Sequence, residues 1–259
     1  MLIIGERING MYSEVGRAIA EKDVSFIKDL ALSQVAAGAG ALDISVGPIK
    51  GGAEENMKWL TEAAASVTDV PLSIDSPHPG VIKAGVIAAA GRKTIINSVK
   101  KTQEHTETLF RLAVEYNCDV ICLLMDSNGI PPSPEGKLEI AAELLMSAAE
   151  AGVEPERLYF DPILLPVGNA QKDVSDTFEL ISQLRMLASP PPHVIVGLSN
   201  LSQRAKYRSL LNRTYCAMAM SHGLDAAIAD PLDEKLMKSV KTAEILLNRT
   251  LYARSYLHE

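Results

Sequence analysis

Side chains able to make two hydrogen bonds at once recur in this sequence at one kind of place, directly behind short apolar runs. Asp75 closes Leu72-Ser73-Ile74, Asn97 closes Thr94-Ile95-Ile96, and Asp161 follows Tyr159-Phe160. Asp126, Asn200 and Asp230 stand behind three further runs, Glu6 and Asn9 behind the N-terminal one, and Asp43 lies inside the run at 41–46. An ionised carboxylate accepts two hydrogen bonds side by side, while an amide both donates and accepts. Such a set suits an edge of adjacent N–H donors beside a carbonyl, as in a 2-amino-4-oxopyrimidine, which pterins and guanines present equally. A carboxylate behind apolar residues is desolvated and costly if unpaired. Arg7 is the one obvious cation at the end of a run, so a ligand is an expected partner. Helix capping and turn formation compete as an explanation for each Asp or Asn taken singly. The recurrence is what sets the group apart.

The elements that must position these residues follow from the pattern. Eight aliphatic runs, at 2–5, 41–46, 71–75, 94–97, 119–125, 158–161, 193–198 and 226–230, read as strands. Between them, helical periodicity covers 17–38, 54–67, 79–90, 104–117, 137–152, 172–187, 204–222 and 233–252. Gly38, Gly152 and Gly223 stand where helices should stop, and Pro79 and Pro155 where helices begin or the chain turns. Strict alternation of strand and helix predicts a parallel sheet, and eight repeats predict closure. The expected fold is α/β, a (β/α)8 TIM barrel forming a single domain over 1–259, a length typical of that fold at about 250 residues. The Ser189-Pro190-Pro191-Pro192 segment reads as a stiff connection within the barrel. In such a barrel all strand C-termini meet on one face, so the polar residues above become neighbours.

Composition narrows the function. With 25 Lys and Arg against 32 Asp and Glu, the net charge of −7 argues against a nucleic-acid partner. Three cysteines, Cys118, Cys122 and Cys216, suggest neither a disulfide framework nor structural zinc, and a reducing cytoplasm is the expected setting. His78, His105, His193, His222 and His258 are scattered without metal-ligand spacing, so no catalytic metal is expected. The N-terminus turns charged after four residues and no run of about 18 uncharged apolar residues occurs, so neither an export signal nor a membrane span is expected. Gly-rich stretches at 38–41 and 51–52 match no complete phosphate-loop pattern and read as turns. Met, Leu and Tyr in 217–220 and 239–256 read as barrel packing.

The ordered motifs Ile3-Ile4-Gly5-Glu6-Arg7-Ile8-Asn9-Gly10, Asp43-Ile44-Ser45-Val46-Gly47-Pro48, Asp75-Ser76, Ile96-Asn97-Ser98, Asp161-Pro162 and Gly197-Leu198-Ser199-Asn200 resemble the pterin-binding barrel family. Within it the chain is most similar to the methyltetrahydrofolate:corrinoid protein methyltransferases, along essentially its whole length. The resemblance implies that methyltetrahydrofolate or tetrahydrofolate is the substrate. The cobalt would arrive on a separate corrinoid-binding protein, since the chain has no room for the other modules of cobalamin-dependent methionine synthase. It also implies a homodimer. Asp75, Asn97 and Asp161 would hold the pyrimidine edge, and Asn200 would lie near the methyl-bearing ring nitrogen. Asn200, Asp161 and Asp75 would form the catalytic set. Ser199, Gln203, Asp43 and Glu6 would add polar contacts, and Asp126, where relatives carry Asn, would alter the site's charge or meet the partner.

Methyl transfer from a tertiary amine requires that the departing nitrogen be protonated or strongly hydrogen-bonded, while the nucleophile would be cobalt(I), so the barrel need supply none. Two rivals stay open. Dihydropteroate synthase shares the barrel, but its Asn-x-Thr-Pro-Asp-Ser-Phe segment is replaced here by Glu6-Arg7-Ile8-Asn9-Gly10. A non-catalytic folate-binding module would share the binding residues.

Overall fold

Isoleucine, valine and leucine dominate the eight strands because a parallel strand closed into a barrel is buried on both faces. The computed structural model describes residues 1–48 and 51–252. Its strands are β1 (Leu2–Asn9), β2 (Ala41–Ser45), β3 (Leu72–Asp75), β4 (Thr94–Lys101), β5 (Asp119–Asp126), β6 (Leu158–Asp161), β7 (His193–Gly197) and β8 (Ala226–Ala229). All neighbours pair in parallel, and β1 bonds β8 to close the barrel. The expected α/β TIM barrel is therefore the observed one. β1 and β4 run four residues beyond the expected ends, each past an irregularity in register with its neighbour.

The helices are α1 (Ser13–Glu21), α2 (Val24–Ala36), α3 (Ala53–Ala65), α4 (Pro79–Ala88), α5 (Gln103–Glu115), α6 (Pro134–Ala151), α7 (Gln171–Leu184), α8 (Leu198–Leu201), α9 (Arg208–Ser221) and α10 (Glu234–Leu246). Three expectations are corrected. The helix expected at 17–38 is two, because Lys22 turns left-handed (φ 55°) and the Asp23 carboxylate caps α2 by accepting from Phe26 N at 3.1 Å. The helix expected at 204–222 begins only at Arg208, after a turn in which Arg204 has φ 62°. α10 ends at Leu246, short of the expected 252, and residues 253–256 of the anticipated last helix lie outside the described residues. α6 opens three residues before the expected 137, at Pro134, with Ser133 accepting from Gly136 N at 3.2 Å, and Gly152 closes it at φ 89° as expected.

Packing forms two layers. Ile4, Ala41, Ile95, Ile121, Tyr159, Ile195 and Ala226 fill the cylinder, while a larger shell including Ile44, Ile74, Ile96, Phe110, Phe160 and Val196 packs the strands' outer faces against the helices. At the N-terminal end of the barrel, Asp225 ties the closing strands together. It accepts from Arg185 Nη1 at 2.5 Å, from His193 Nδ1 at 2.7 Å and from Val194 N at 2.9 Å. The His193 ring stacks on Tyr159 at 4.6 Å between centroids.

At the opposite end, the turn after β1 lies backbone-to-backbone on the loop after β2. A Cβ on Gly10 would fall 2.1 Å from Val46 O, and one on Gly47 (φ +66°) 2.6 Å from Gly10 C. Gly10→Ala should therefore force the two loops apart and destabilise the fold by about 1–3 kcal/mol, read as a lowered midpoint in chemical denaturation.

Candidate active site

Successive strand residues face opposite sides, so a residue two places beyond an interior one also faces the interior. From the apolar floor of the barrel, one such step leads from Ile4 to Glu6, from Ala41 to Asp43, from Ile95 to Asn97 and from Tyr159 to Asp161. The floor is thus overlaid at its C-terminal side by a polar tier. Asp43, Asn97 and Asp161 are buried, Glu6 and Asp75 half-buried.

Asp43 anchors one side of the tier. Its Oδ1 accepts from Ser73 Oγ at 2.6 Å and from Asn97 Nδ2 at 3.0 Å. Burial raises its pKa, the nearby Asp75 charge raises it further, and the two hydrogen bonds oppose the rise. Asp75 lies across from Asn97 in the β3–β4 register and from Ser45 in β2–β3. Burial raises its pKa too, against a hydrogen bond with Ser45. Two carboxylates crowded in a dry site hinder each other's ionisation.

Across the barrel, Asp161 accepts from Ile163 N at 2.7 Å. Burial lifts its pKa to about 7, tempered by that backbone N–H and by the charge of Lys137. Lys137, in the first turn of α6, has a side chain only 2% exposed and donates to Asp173 Oδ1 at 3.0 Å. This buried cation has no signature in the sequence, since a lysine on an amphipathic helix ordinarily points to solvent. Ser73 is a second member that strand-end position does not reveal, although its place two residues before Asp75 puts both on one strand face.

α8 brings the remaining groups. Ser199 Oγ donates to Glu6 Oε1 at 2.7 Å, and Glu6, its pKa raised by burial, also lies 3.5 Å from Tyr12 Oη. Asn200 is exposed, its Oδ1 accepting from Gln203 Nε2 at 3.2 Å. A Cβ on Gly197 would come within 3.0 Å of Asn200 Nδ2, so glycine there leaves the amide room over the end of β7. Asp126 bonds within its own turn, accepting from Asn128 N at 2.7 Å and from Asn128 Nδ2 at 3.3 Å. Asn9 and Asp230 do the same, accepting from Met11 N and Leu232 N. Asp230 also lies 3.6 Å from Arg7 Nη1.

The arrangement can bind a flat, donor-rich heterocycle edge-on over an apolar floor, with an amide at the rim. Comparison with known proteins gives the site its lineage. The sequence model of the family described as "Pterin binding enzyme" matches residues 5–230. The chain belongs to the pterin-binding enzyme family. It is 30% identical over 258 residues to the methylcorrinoid:tetrahydrofolate methyltransferase of Eubacterium limosum, covering 99% of this chain and 94% of that protein. It is also 30% identical over 240 residues to methionine synthase of Mycobacterium leprae, covering 88% of this chain but only 20% of that longer protein. Among solved structures, Yersinia pestis dihydropteroate synthase bound to a pterine-sulfa conjugate superposes with a TM-score of 0.67 at 16% identity, covering 95% of this chain and 94% of that one, a likeness of fold. Among the described residues of this pterin-binding protein, no helix is long and apolar enough to cross a membrane.

The raised pKa of Asp161 has a consequence for folding. A carboxyl whose folded-state pKa lies above its ordinary 3.8 leaves stability intact below that pH, and stability is lost as the pH rises through about 7. Asp161→Asn should remove this loss and stabilise the ligand-free protein above pH 8 by up to about 4 kcal/mol, with little gain at pH 4. Thermal melts at the two pH values check it.

Proposed function

We propose that this enzyme transfers a methyl group between the methyl-bearing ring nitrogen of methyltetrahydrofolate and the cobalt of a separate corrinoid protein. The observation that carries the reading is the tier of carboxylates and amides on the apolar floor, in a chain that matches a methylcorrinoid:tetrahydrofolate methyltransferase over nearly the full length of both.

In this reading the pterin lies over the floor with its pyrimidine edge against Asp75, Asn97 and Asp161. The ionised carboxylates accept from the amino group and adjacent ring N–H, and Asn97 supplies a complementary amide. Asp43 acts through Asn97, whose amide it orients with the same oxygen that accepts from Ser73. Glu6 and Ser199 close the rim above β1. The ring nitrogen then faces Asn200, beside the rim.

The cobalt carries the nucleophilic chemistry, and the barrel's tasks are orientation and proton control. When the methyl group departs to cobalt(I), the carbon–nitrogen bonding pair stays on the nitrogen, which must therefore be protonated or strongly hydrogen-bonded as the bond breaks. An amide is too weak an acid to give that proton, but Asn200 Oδ1 can accept a hydrogen bond from the protonated nitrogen. Gln203, donating to the same oxygen, fixes its direction. A bond that strengthens as charge develops accelerates transfer rather than merely tightening binding. The same contacts serve the reverse reaction. Met11, Tyr207 and Leu232, exposed in the loops after β1, β7 and β8, offer an apolar rim for the carrier protein. Asp126, half-buried at the end of β5 and bonded to the turn that follows, would meet the carrier rather than the pterin.

Asn200→Ala should slow single-turnover transfer by about 100- to 1000-fold with a small change in folate affinity, whereas Asp75→Asn should weaken folate binding by about 5- to 150-fold. Following cobalt(I) and methylcobalt spectra with either folate decides between these roles, and the opposite pattern overturns them. Synthase activity with a pterin pyrophosphate and p-aminobenzoate, without methyl transfer, would reassign the enzyme to the other branch of its family. Because the ligand needs Asp161 ionised and its pKa is about 7, folate affinity should rise about tenfold per pH unit below that value and level off above it. A titration of the dissociation constant across this range checks the sign.

A further inference from the structure

The charge of the chain is unevenly spread. It carries 32 Asp and Glu, yet none occurs between Glu179 and Asp225, a stretch that holds Arg185, Arg204, Lys206, Arg208 and Arg213. Arg185 is spent at the far end of the barrel on Asp225. Arg208 bonds Ser202 Oγ at 3.3 Å and the Ser199 carbonyl at 3.4 Å, and Arg213 reaches Ser209 Oγ at 3.2 Å. Arg204 and Lys206, both exposed, have no carboxylate within salt-bridge distance among the described residues.

Arg204 lines a cleft of about 350 Å³ between residues 166–169 of the loop after β6 and residues 203–205, and Lys206 follows just beyond that lining. One wall, Pro166 and Val167, is apolar and leads on to Asn169, with no charged residue between Asp161 and Lys172. The other wall carries Arg204 between Gln203 and Ala205. The two are fastened together by Val167 N donating to Leu201 O at 2.9 Å. Gln203, whose amide bonds Asn200, is part of the lining and joins the cleft to the site.

That position matters because the methyl-bearing nitrogen of a folate is bonded directly to the ring carbon that carries its side chain. Whatever group faces that nitrogen stands beside the root of the side chain. We propose that this cleft is the subsite for the folate tail: the benzoyl ring lies on Pro166 and Val167, and the glutamyl carboxylates, including those of a γ-linked polyglutamate, pair with Arg204 and Lys206. On a chain of net charge −7, a polyanionic tail finds attraction only where cations lack acidic neighbours. The inference rests on the folate reading of the site, and it identifies the form of folate that the site selects.

The test is equilibrium binding of tetrahydropteroyl monoglutamate, the triglutamate, and a tetrahydropterin with no tail. The full-length protein is compared with R204A/K206A and R204E, each affinity being normalised to that variant's affinity for the tailless pterin. Two exposed ion pairs predict that the triglutamate binds about fivefold more tightly than the monoglutamate, a preference that shrinks when salt is raised from about 0.05 M to about 0.5 M. The ratio should fall to near one in R204A/K206A and below one in R204E. Equal affinities in the unaltered protein overturn the subsite, as does a ratio that survives in the double variant. If R204E instead raises the KM for the corrinoid carrier and leaves the tail preference intact, the two cations belong to the carrier's docking surface and the subsite is wrong. Failure of the tailless pterin and of both folates to bind overturns the folate reading together with this inference, whereas binding of the ring without discrimination between tails overturns this inference alone.

Discussion

Inside a closed barrel, strand geometry allows two directions for a side chain, into the cylinder or out to the helices, and everything at this site depends on that alternation. The same choice that packs Ile4, Ala41, Ile95 and Tyr159 together sends Glu6, Asp43, Asn97 and Asp161 above them. A slip of one residue in β2 would drive Asp43 into the outer apolar shell and Leu42 or Ile44 into the mouth. Fold and site are therefore specified by one register, and the cost of misplacing the polar tier helps to hold the strands in place.

The tier is also an electrostatic problem that the protein solves only in part. Asp43 can be buried because two donors converge on one of its oxygens, and Asp161 because a backbone N–H and a buried ammonium oppose its desolvation. Asp75 has less help, and its neighbour is another acid. The result is a dry concavity rich in acceptors, in which donors from a ligand do what water does elsewhere. Such preorganisation is bought with folding stability, a common trade at active sites.

Much of this was legible in the sequence, for physical reasons. Strands buried on both faces read as unbroken apolar runs, and every one of the eight fell close to its expected place, from Leu2 to Ala229. Asp75, Asn97 and Asp161 were visible because a polar residue ending such a run has few places to go. Other features were hidden because they rest on contacts distant in sequence or on local capping. Nothing around Lys22 or Asp23 breaks the apolar period enough to announce two helices. The burial of Lys137 depends on Asp173, on the next helix, and the pairing of Ser73 with Asp43 spans two strands. Asp126, Asn9 and Asp230 share the same strand-end pattern, yet their carboxylates and amides bond the turns that follow. Strand-end position alone does not separate a turn-former from a tier member; an odd spacing from the floor residues Ile4 and Ile121 sets Asn9 and Asp126 apart, whereas Asp230 shares the tier's parity with Ala226 and is distinguished only by its turn bond.

The clasp built on Asp225 lies at the end of the cylinder away from the mouth, where it joins the seam of β7 and β8 to Arg185 and to the stacked rings of His193 and Tyr159. Mechanical closure and chemistry are thus lodged at opposite poles of the molecule. Outside the tight contact of Gly10 with Val46 and Gly47, the rim segments can be recharged or exchanged without unfastening the staves, which makes this scaffold hospitable to new occupants.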